Sequence, residues 1–258
     1  MNGVFVLSTL LISAGVCLAN NTVGQASAYN VLAELDRSRE DLVNIICHTN
    51  ANRYSVRDGH TRKVETIESE LRIIDGADSY STITLNGHAF HSMHDLPGAW
   101  IMGELGFIVD VSRRDIEKLS KAGVIPGRAL SPPEAEPLYE VDFFDPEESG
   151  WTLYTTKPRG AWTVPFSGKV LISIGTGRLR AIEWRSEHLD TPEEIGISGL
   201  TWRVEFKEVE IENRRVLVPS RSLYRVSYST RSRRTDWIDT RYSDIQRFGA
   251  NTVLRFNE

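Results

Sequence analysis

The stretch GKVLISIGTGRLRAIEW, Gly168 to Trp184, decides the fold. A G-T-G behind an apolar run is either a phosphate cradle that opens a helix or a tight corner between two strands. A dinucleotide fingerprint needs G-x-G-x-x-G between a strand and a helix, and the sixth position counted from Gly175 is Arg180. The residues that follow, RLRAIEW, have strand character and no helix start, and no Gly-Lys-Ser/Thr of a P-loop occurs. Gly175 and Gly177 are therefore expected to supply the backbone angles of a hairpin corner.

Extended segments lie on both sides of that corner. YEVDFFD, GWTLYTT, GKVLISI, RLRAIEWRSEHL, LTWRVEFKEVEI, RRVLVPSRSLYRVSYST, TDWIDTRYSDI and NTVLRFN all read as strands. Val170, Ile172 and Ile174 alternate with other residues, as do Leu200, Trp202, Val204 and Phe206, so one sheet face is expected to be buried. Glu212-Asn213 marks a corner. Further upstream, Asp58-Gly59 and Asp75-Gly76 separate strands expected at about 44–57, 61–74 and 78–85.

Before these strands, Val31, Leu32, Leu35, Leu42 and Ile46 are spaced for one amphipathic helix, which frays near Asp41 because Val43 to Ile46 is rich in β-branched residues. Between the two β regions, residues 88–137 mix Gly, Pro and short apolar runs. Gly103 to Val111 and Asp115 to Ala122 read as short helices, and Pro126, Pro132, Pro133 and Pro137 mark an irregular connection. This segment is expected to be a lid or crossover within one domain, residues 29–258.

The chain has 258 residues, a net charge of −5, 40% apolar and 25% charged residues. That balance argues against a general nucleic-acid binder. Arginines gather in SRSLYRVSYSTRSRRTDW, a pattern more typical of solvated strand faces. MNGVFVLSTLLISAGVCLANN carries no charged side chain, and Val4 to Ala14 is too short to span a bilayer. Residues 1–19 are expected to be a cleaved secretory signal, exiting at Cys17-Leu18-Ala19, although the n-region lacks Lys and Arg. Ala26-Ser27-Ala28 is a second cleavage option, and a lipid-modified Cys17 is a poorer match. No other stretch has the length of a transmembrane helix, so the mature protein is expected to be periplasmic or secreted and not integral to a membrane.

With Cys17 removed, Cys47 has no disulfide partner and is expected to pack as a small hydrophobe. A nucleophilic role with His48 is disfavoured, because neighbours on a strand face opposite ways. His88, His91 and His94 form H-x-x-H-x-x-H, yet neither a strand nor a helix gathers all three, and no H-E-x-x-H supports a zinc site. Ser167 in PFSGK lacks the glycine of a nucleophile elbow. The carboxylates of DPEESG and EVEIE belong to loops and solvated faces, and the tryptophans at 100, 151, 162, 184, 202 and 237 serve packing more often than ligand stacking. The expectation is a protein with no catalytic residue, no metal and no cofactor.

Several segments carry a resemblance: the Cys-bearing strand NIICHTNANRY, Glu70 to Gly76, Gly98 to Gly106, the hairpin Ile174 to Ile182, Val216 to Pro219, and Arg247 to Gly249. Their order resembles a group of secreted acidobacterial proteins over nearly the whole mature chain. That group is similar in architecture to the outer-membrane lipoprotein-sorting (LolA-like) and RseB-like fold. The resemblance implies a mainly β, α+β chain: a strongly curved antiparallel half-barrel with an N-terminal helix, short covering helices and an apolar concave face.

Three functions follow as expectations. The first is a non-catalytic binder of a lipid, lipoprotein or other apolar ligand in the concave sheet. The second is an envelope sensor that reads a protein partner without lipid cargo. The third is a metal-dependent hydrolase using His88, His91 or His94.

Overall fold

The computed structural model describes residues 32–37, 39–74, 77–96, 113–114, 117, 127–130, 138–145, 151–156, 159–164, 166–173, 176–187, 189, 191, 196–229 and 234–247. The signal segment, Cys17, the Asp75-Gly76 corner, the 103–111 helix, Ile174, Gly175 and the NTVLRFN strand lie outside the described residues. So do all but Glu117 of the 115–122 helix; that residue is helical.

A helix, α1, covers 32–37 and 39–41, and thirteen strands follow among the described residues. They are β1 (Ile45–Arg57), β2 (His60–Ile74), β3 (Ala77–Leu85), β4 (His88–Phe90), β5 (Gly127–Leu130), β6 (Leu138–Asp145) and β7 (Trp151–Thr156). The rest are β8 (Arg159–Val164), β9 (Phe166–Ser173), β10 (Leu179–Glu187), β11 (Ile197–Ile211), β12 (Arg214–Tyr228) and β13 (Thr235–Arg247). A 3₁₀ turn spans Met93–Asp95. The chain is mainly β, and its principal sheet is an antiparallel half-barrel, curved and not closed.

Helix α1 ends where β-branched and turn residues take over. Leu35 and Leu42 are buried, Asn44 leaves the turn at φ +57°, and β1 then alternates with Ile45, Cys47, Thr49 and Ala51 buried. Ile46, placed on the helix's apolar stripe by spacing alone, instead faces the other side of β1. The period changes from helical to two at residue 45.

Eleven strands form the sheet, in the order β4-β3-β2-β1-β13-β12-β11-β10-β9-β6-β5. Most neighbours are consecutive strands of the chain, but the first and last strands, β1 and β13, pair in its interior. The hairpin β7–β8 makes a separate two-stranded sheet, and β6 pairs directly with β9. The segments read as strands in the second half therefore do not all join one surface.

Both sheet edges, β4 and β5, come from the middle of the chain. The connection through 91–126 consequently runs from one edge of the sheet to the other.

Turn chemistry explains the hairpins. Asp58-Gly59 has φ of +51° and +81°, and Asn86-Gly87 and Glu212-Asn213 have the same left-handed pairs. Those signs define the two-residue turn that matches strand twist. At the G-T-G, Gly177 has φ +68°, its N–H donates to Ser173 O at 2.9 Å, and Ser173 N–H donates to Arg178 O at 2.9 Å. The corner joins antiparallel β9 and β10.

Register shifts between Ile46 and His48, Arg53 and Tyr54, Glu68 and Glu70, and Glu205 and Phe206 mark bulges. Bulged strands bend and twist more sharply, which curves a sheet. Thr82 (φ +51°) and Asp244 (φ +52°) are the extra residues at two of them.

Candidate ligand-binding face

Following the register across the sheet assembles its inner face. One row runs Val170, Ile182, Val204, Ser222, Thr240, Ala51, Ile67, Leu85, across β9, β10, β11, β12, β13, β1, β2 and β3. Every member is buried. The next row toward the β1–β2 turn carries Trp184, Trp202, Tyr224 and Ile238. Trp184 and Trp202 pack with ring centroids 5.3 Å apart.

These rows form two apolar clusters. The larger joins β1, β2 and β9–β13 with Leu35 and Leu42, and the smaller holds Ala51, Ile67, Ile83, Leu85, Leu96 and Ile238. Between their bulky flanks lies a strip of short side chains: Cys47, Thr49, Ala51, Ser69, Ser222 and Thr240.

The Thr49 and Ser69 hydroxyls are turned toward one another, and Ser222 is bonded from the aromatic flank. Thr49 and Ser69 share a hydrogen bond of 2.6 Å, and the Thr49 hydroxyl donates to Ser69 O at 3.1 Å. Trp202 Nε1–H donates to Ser222 Oγ at 2.8 Å, and Ser222 also bonds the Tyr242 hydroxyl. Burying polar groups is tolerable once they are paired, and such paired groups leave C–H surface for a neighbour. Burial pushes the Cys47 thiol up to about 12, with the Asp78 and Glu70 carboxylates adding to the shift. Burial likewise lifts the Tyr224 and Tyr242 hydroxyls above the usual range.

Among the described residues outside the sheet, helix α1, Leu189 and part of the edge-to-edge connection lie against this face. Helix α1 contributes Leu32 and Leu35, and the turn after it Leu42. Arg178 of the G-T-G corner pairs with Glu34 on α1, and its Nη2 also reaches Glu208 Oε1 of β11 at 2.9 Å. At the other end of α1, burial raises the Asp41 carboxyl while Arg247 of β13 opposes the shift from 3.9 Å. From the edge-to-edge connection, Met93 and Leu96 pack in the smaller cluster, and Arg113 pairs with Asp36 on α1. These described points of the connection lie on the inner side.

The opposite end of the inner face, near the β1–β2 turn, is charged. Two residues beyond Ala51 on β1, Arg53 pairs with Glu65. Asp236 lies opposite Ser55, and Ser55 lies opposite Arg62. Arg234 bonds Asp236 through Nε at 2.9 Å and lies over the Tyr228 ring at 5.3 Å.

Over β1, β12 and β13 the outer face carries polar and aromatic pairs. Tyr54 and Trp237 stack across β1 and β13 with centroids 5.3 Å apart, and Arg221 holds Asp239 through two bonds of 2.7 and 2.8 Å.

The residues singled out from sequence are scattered. His88 is exposed on the edge strand β4, His91 is exposed in the bend after it, and His94 lies in the 3₁₀ turn. Among the described residues, no three His, Cys, Asp or Glu side chains gather as a metal site. Cys47 is buried and His48 exposed, on opposite sides of β1. The Ser167 hydroxyl donates to Arg185 O at 3.5 Å. Arg178, Glu34 and the hydroxyl strip were not singled out from sequence; the strip's only linear trace is alternating small residues in CHTNA and ESEL.

Fold and face together define an open, curved antiparallel sheet with a helix laid over its apolar side. No family model matches the chain, and no curated protein does. Among solved structures, it is similar to a LolA superfamily protein from Nitrosomonas europaea at 12% identity and a TM-score of 0.37, covering 84% of this chain and 93% of that one. A DUF1329 family protein from Desulfovibrio piger is similar at 10% identity and 0.36, covering 89% and 93%. The MucA/MucB complex from Pseudomonas aeruginosa follows at 9% identity and 0.21, covering 85% and 99%. No helix among the described residues is long and apolar enough to cross a membrane.

Proposed function

We propose that this chain is a non-catalytic carrier or receptor outside the cytoplasm, holding an acyl chain or similar apolar ligand on the inner face of its sheet. The observation that carries this reading is the way the face is covered. Among the described residues, a wide apolar floor is overlain by helix α1, by Leu189 of the β10–β11 loop and by points on the connection between the sheet edges. Such a cover can part from the floor without unpairing strands. Short side chains at the centre lower the floor between bulky flanks, and their paired hydroxyls present C–H groups, which suits a rod-like hydrocarbon. The uncharged leader-like N-terminus supports a site of action beyond the cytoplasmic membrane. In this reading the irregular segment at about 88–137 acts as the lid.

A chain-length series tests it. Each buried methylene contributes about 0.8 kcal/mol, so lengthening a fatty acid by four carbons should tighten binding roughly 200-fold until the trough is filled. Titrations with C10, C14 and C18 fatty acids, followed by tryptophan fluorescence, should show that rise. Equal or absent responses across the series would count decisively against the reading.

A further inference from the structure

The charged end of the inner face has a role that an apolar floor alone does not need. On β1, buried Ala51 is followed two residues later by Arg53 and four later by Ser55 on the same side, a step of about 7 Å per pair of residues. On β2, Ile67 gives way to Glu65 and, past the bulge, to Arg62. On β13, Thr240 and Ile238 give way to Asp236, and on β12, Tyr224 gives way to Val226 and Tyr228. On β1 and β2 charge begins at Arg53 and Glu65, level with Ile238; on β13 it begins one step further on, at Asp236, and β12 reaches the Tyr228 hydroxyl at this end.

The frame is also pre-set. Arg53 is held by Glu65, with their side chains only 22% and 19% exposed, and Arg234 is held by Asp236. Arg62 is exposed and stands opposite Ser55, so it is the cation best placed to turn toward an arriving group. Arg57 adds positive charge at the adjacent turn, against Asp58. The opposite end of the floor is occupied by α1, with its Glu34 and Asp41 ion pairs.

We infer that the ligand is an amphiphile with an anionic headgroup, its chain lying along the hydroxyl strip toward α1 and its headgroup seated among Arg62, Arg53, Arg234 and the Tyr228 hydroxyl. This rests on the proposed apolar-ligand reading and adds the headgroup's charge and the chain's direction. Charge-assisted bonds from guanidinium groups suit a phosphate or carboxylate, and the counter-ions Glu65 and Asp236 keep the arginines oriented before the ligand arrives.

The test compares dodecyl phosphate, the uncharged dodecyl maltoside and inorganic phosphate on the full chain. Dodecyl phosphate should bind more tightly than the maltoside, and the preference should shrink as salt rises. Arg62→Gln should weaken dodecyl phosphate about fivefold, the scale of a partly exposed ion pair, and leave the maltoside unchanged. The double variant Arg53→Gln/Glu65→Gln removes the pair without stranding a buried charge and should weaken the phosphate amphiphile further. Arg225→Gln, on the outer face, should change nothing. Equal binding of both amphiphiles, unaffected by Arg62→Gln, overturns the headgroup site and leaves the apolar floor standing. Binding of neither overturns the floor itself. Inorganic phosphate binding as tightly as dodecyl phosphate overturns the amphiphile and leaves a simple anion site.

Discussion

Arg178, in the corner between β9 and β10, pairs with Glu34 on α1, 144 residues earlier in the chain. The Glu34 side chain is 5% exposed and Arg37 also reaches it, at 3.1 Å. A carboxylate that far out of water needs its cation, so the pair ties the helix to the rim of the floor. The G-T-G positions that cation: Thr176 N–H donates to Ser173 Oγ at 3.0 Å and Gly177 turns the chain back.

Arg178→Gln should therefore loosen α1 before it loosens the sheet. Removing one partner of a buried hydrogen bond costs about 1–3 kcal/mol, and Arg37 softens the loss here. Hydrogen exchange should show amides 35–41 losing protection while β1 and β12 keep theirs. Uniform loss across the sheet would mean that the pair stabilises the whole fold and not the cover.

Thr82 is a β-branched residue held at φ +51° in a bulge, exposed to solvent. That conformation costs a residue with a crowded Cβ about 1–3 kcal/mol, and glycine adopts it freely. Thr82→Gly should raise the urea midpoint at unchanged slope. A lower midpoint would show that the Thr82 side chain stabilises the edge by more than its backbone costs.

Cys47 sets an alkaline limit. The unfolded thiol ionises near 9.0, while the folded one holds its proton to about 12. Between these values the unfolded chain binds fewer protons than the folded chain, so stability falls as pH rises, by up to about 1.4 kcal/mol per unit. Tyr224 and Tyr242 act with the same sign above their ordinary range. Urea midpoints should drop between pH 9 and 10.5, and the native thiol should resist disulfide reagents at pH 8. Rapid labelling of folded protein would contradict the buried placement.

Trp202→Phe removes the donor to Ser222 Oγ from the strip and should cost about 1–3 kcal/mol. Pairing it with Ser222→Ala should recover part of that loss in a double-mutant cycle. Strict additivity would show that the bond contributes no coupling.

Local signals in the sequence carried far. Asp58-Gly59, Glu212-Asn213 and the G-T-G announce reversals because their backbone angles need those residues. Alternation at Leu200, Trp202, Val204 and Phe206 marks a buried face. The Asn86-Gly87 turn is as clear, yet β4 after it has three residues, too few to show alternation, and merges with the irregular segment. RGAWTV, the segment of β8, is short and follows a Pro, so it carries little strand signal. Long-range facts were silent. Nothing near Ile45 says that β1 pairs with β13, and nothing near Phe90 says that its connection must reach the opposite edge. The hydroxyl strip is equally hidden, since its members lie on four strands and meet only through register.

The most direct test is mass spectrometry of organic extracts from protein purified without denaturation out of its native envelope fraction. Near-stoichiometric acyl chains are predicted, sharply reduced in Ala51→Leu, which fills the trough, and retained in the volume-conserving Thr49→Val. Clean extracts from all three proteins, each folded by circular dichroism, would contradict an inner face built to hold hydrocarbon.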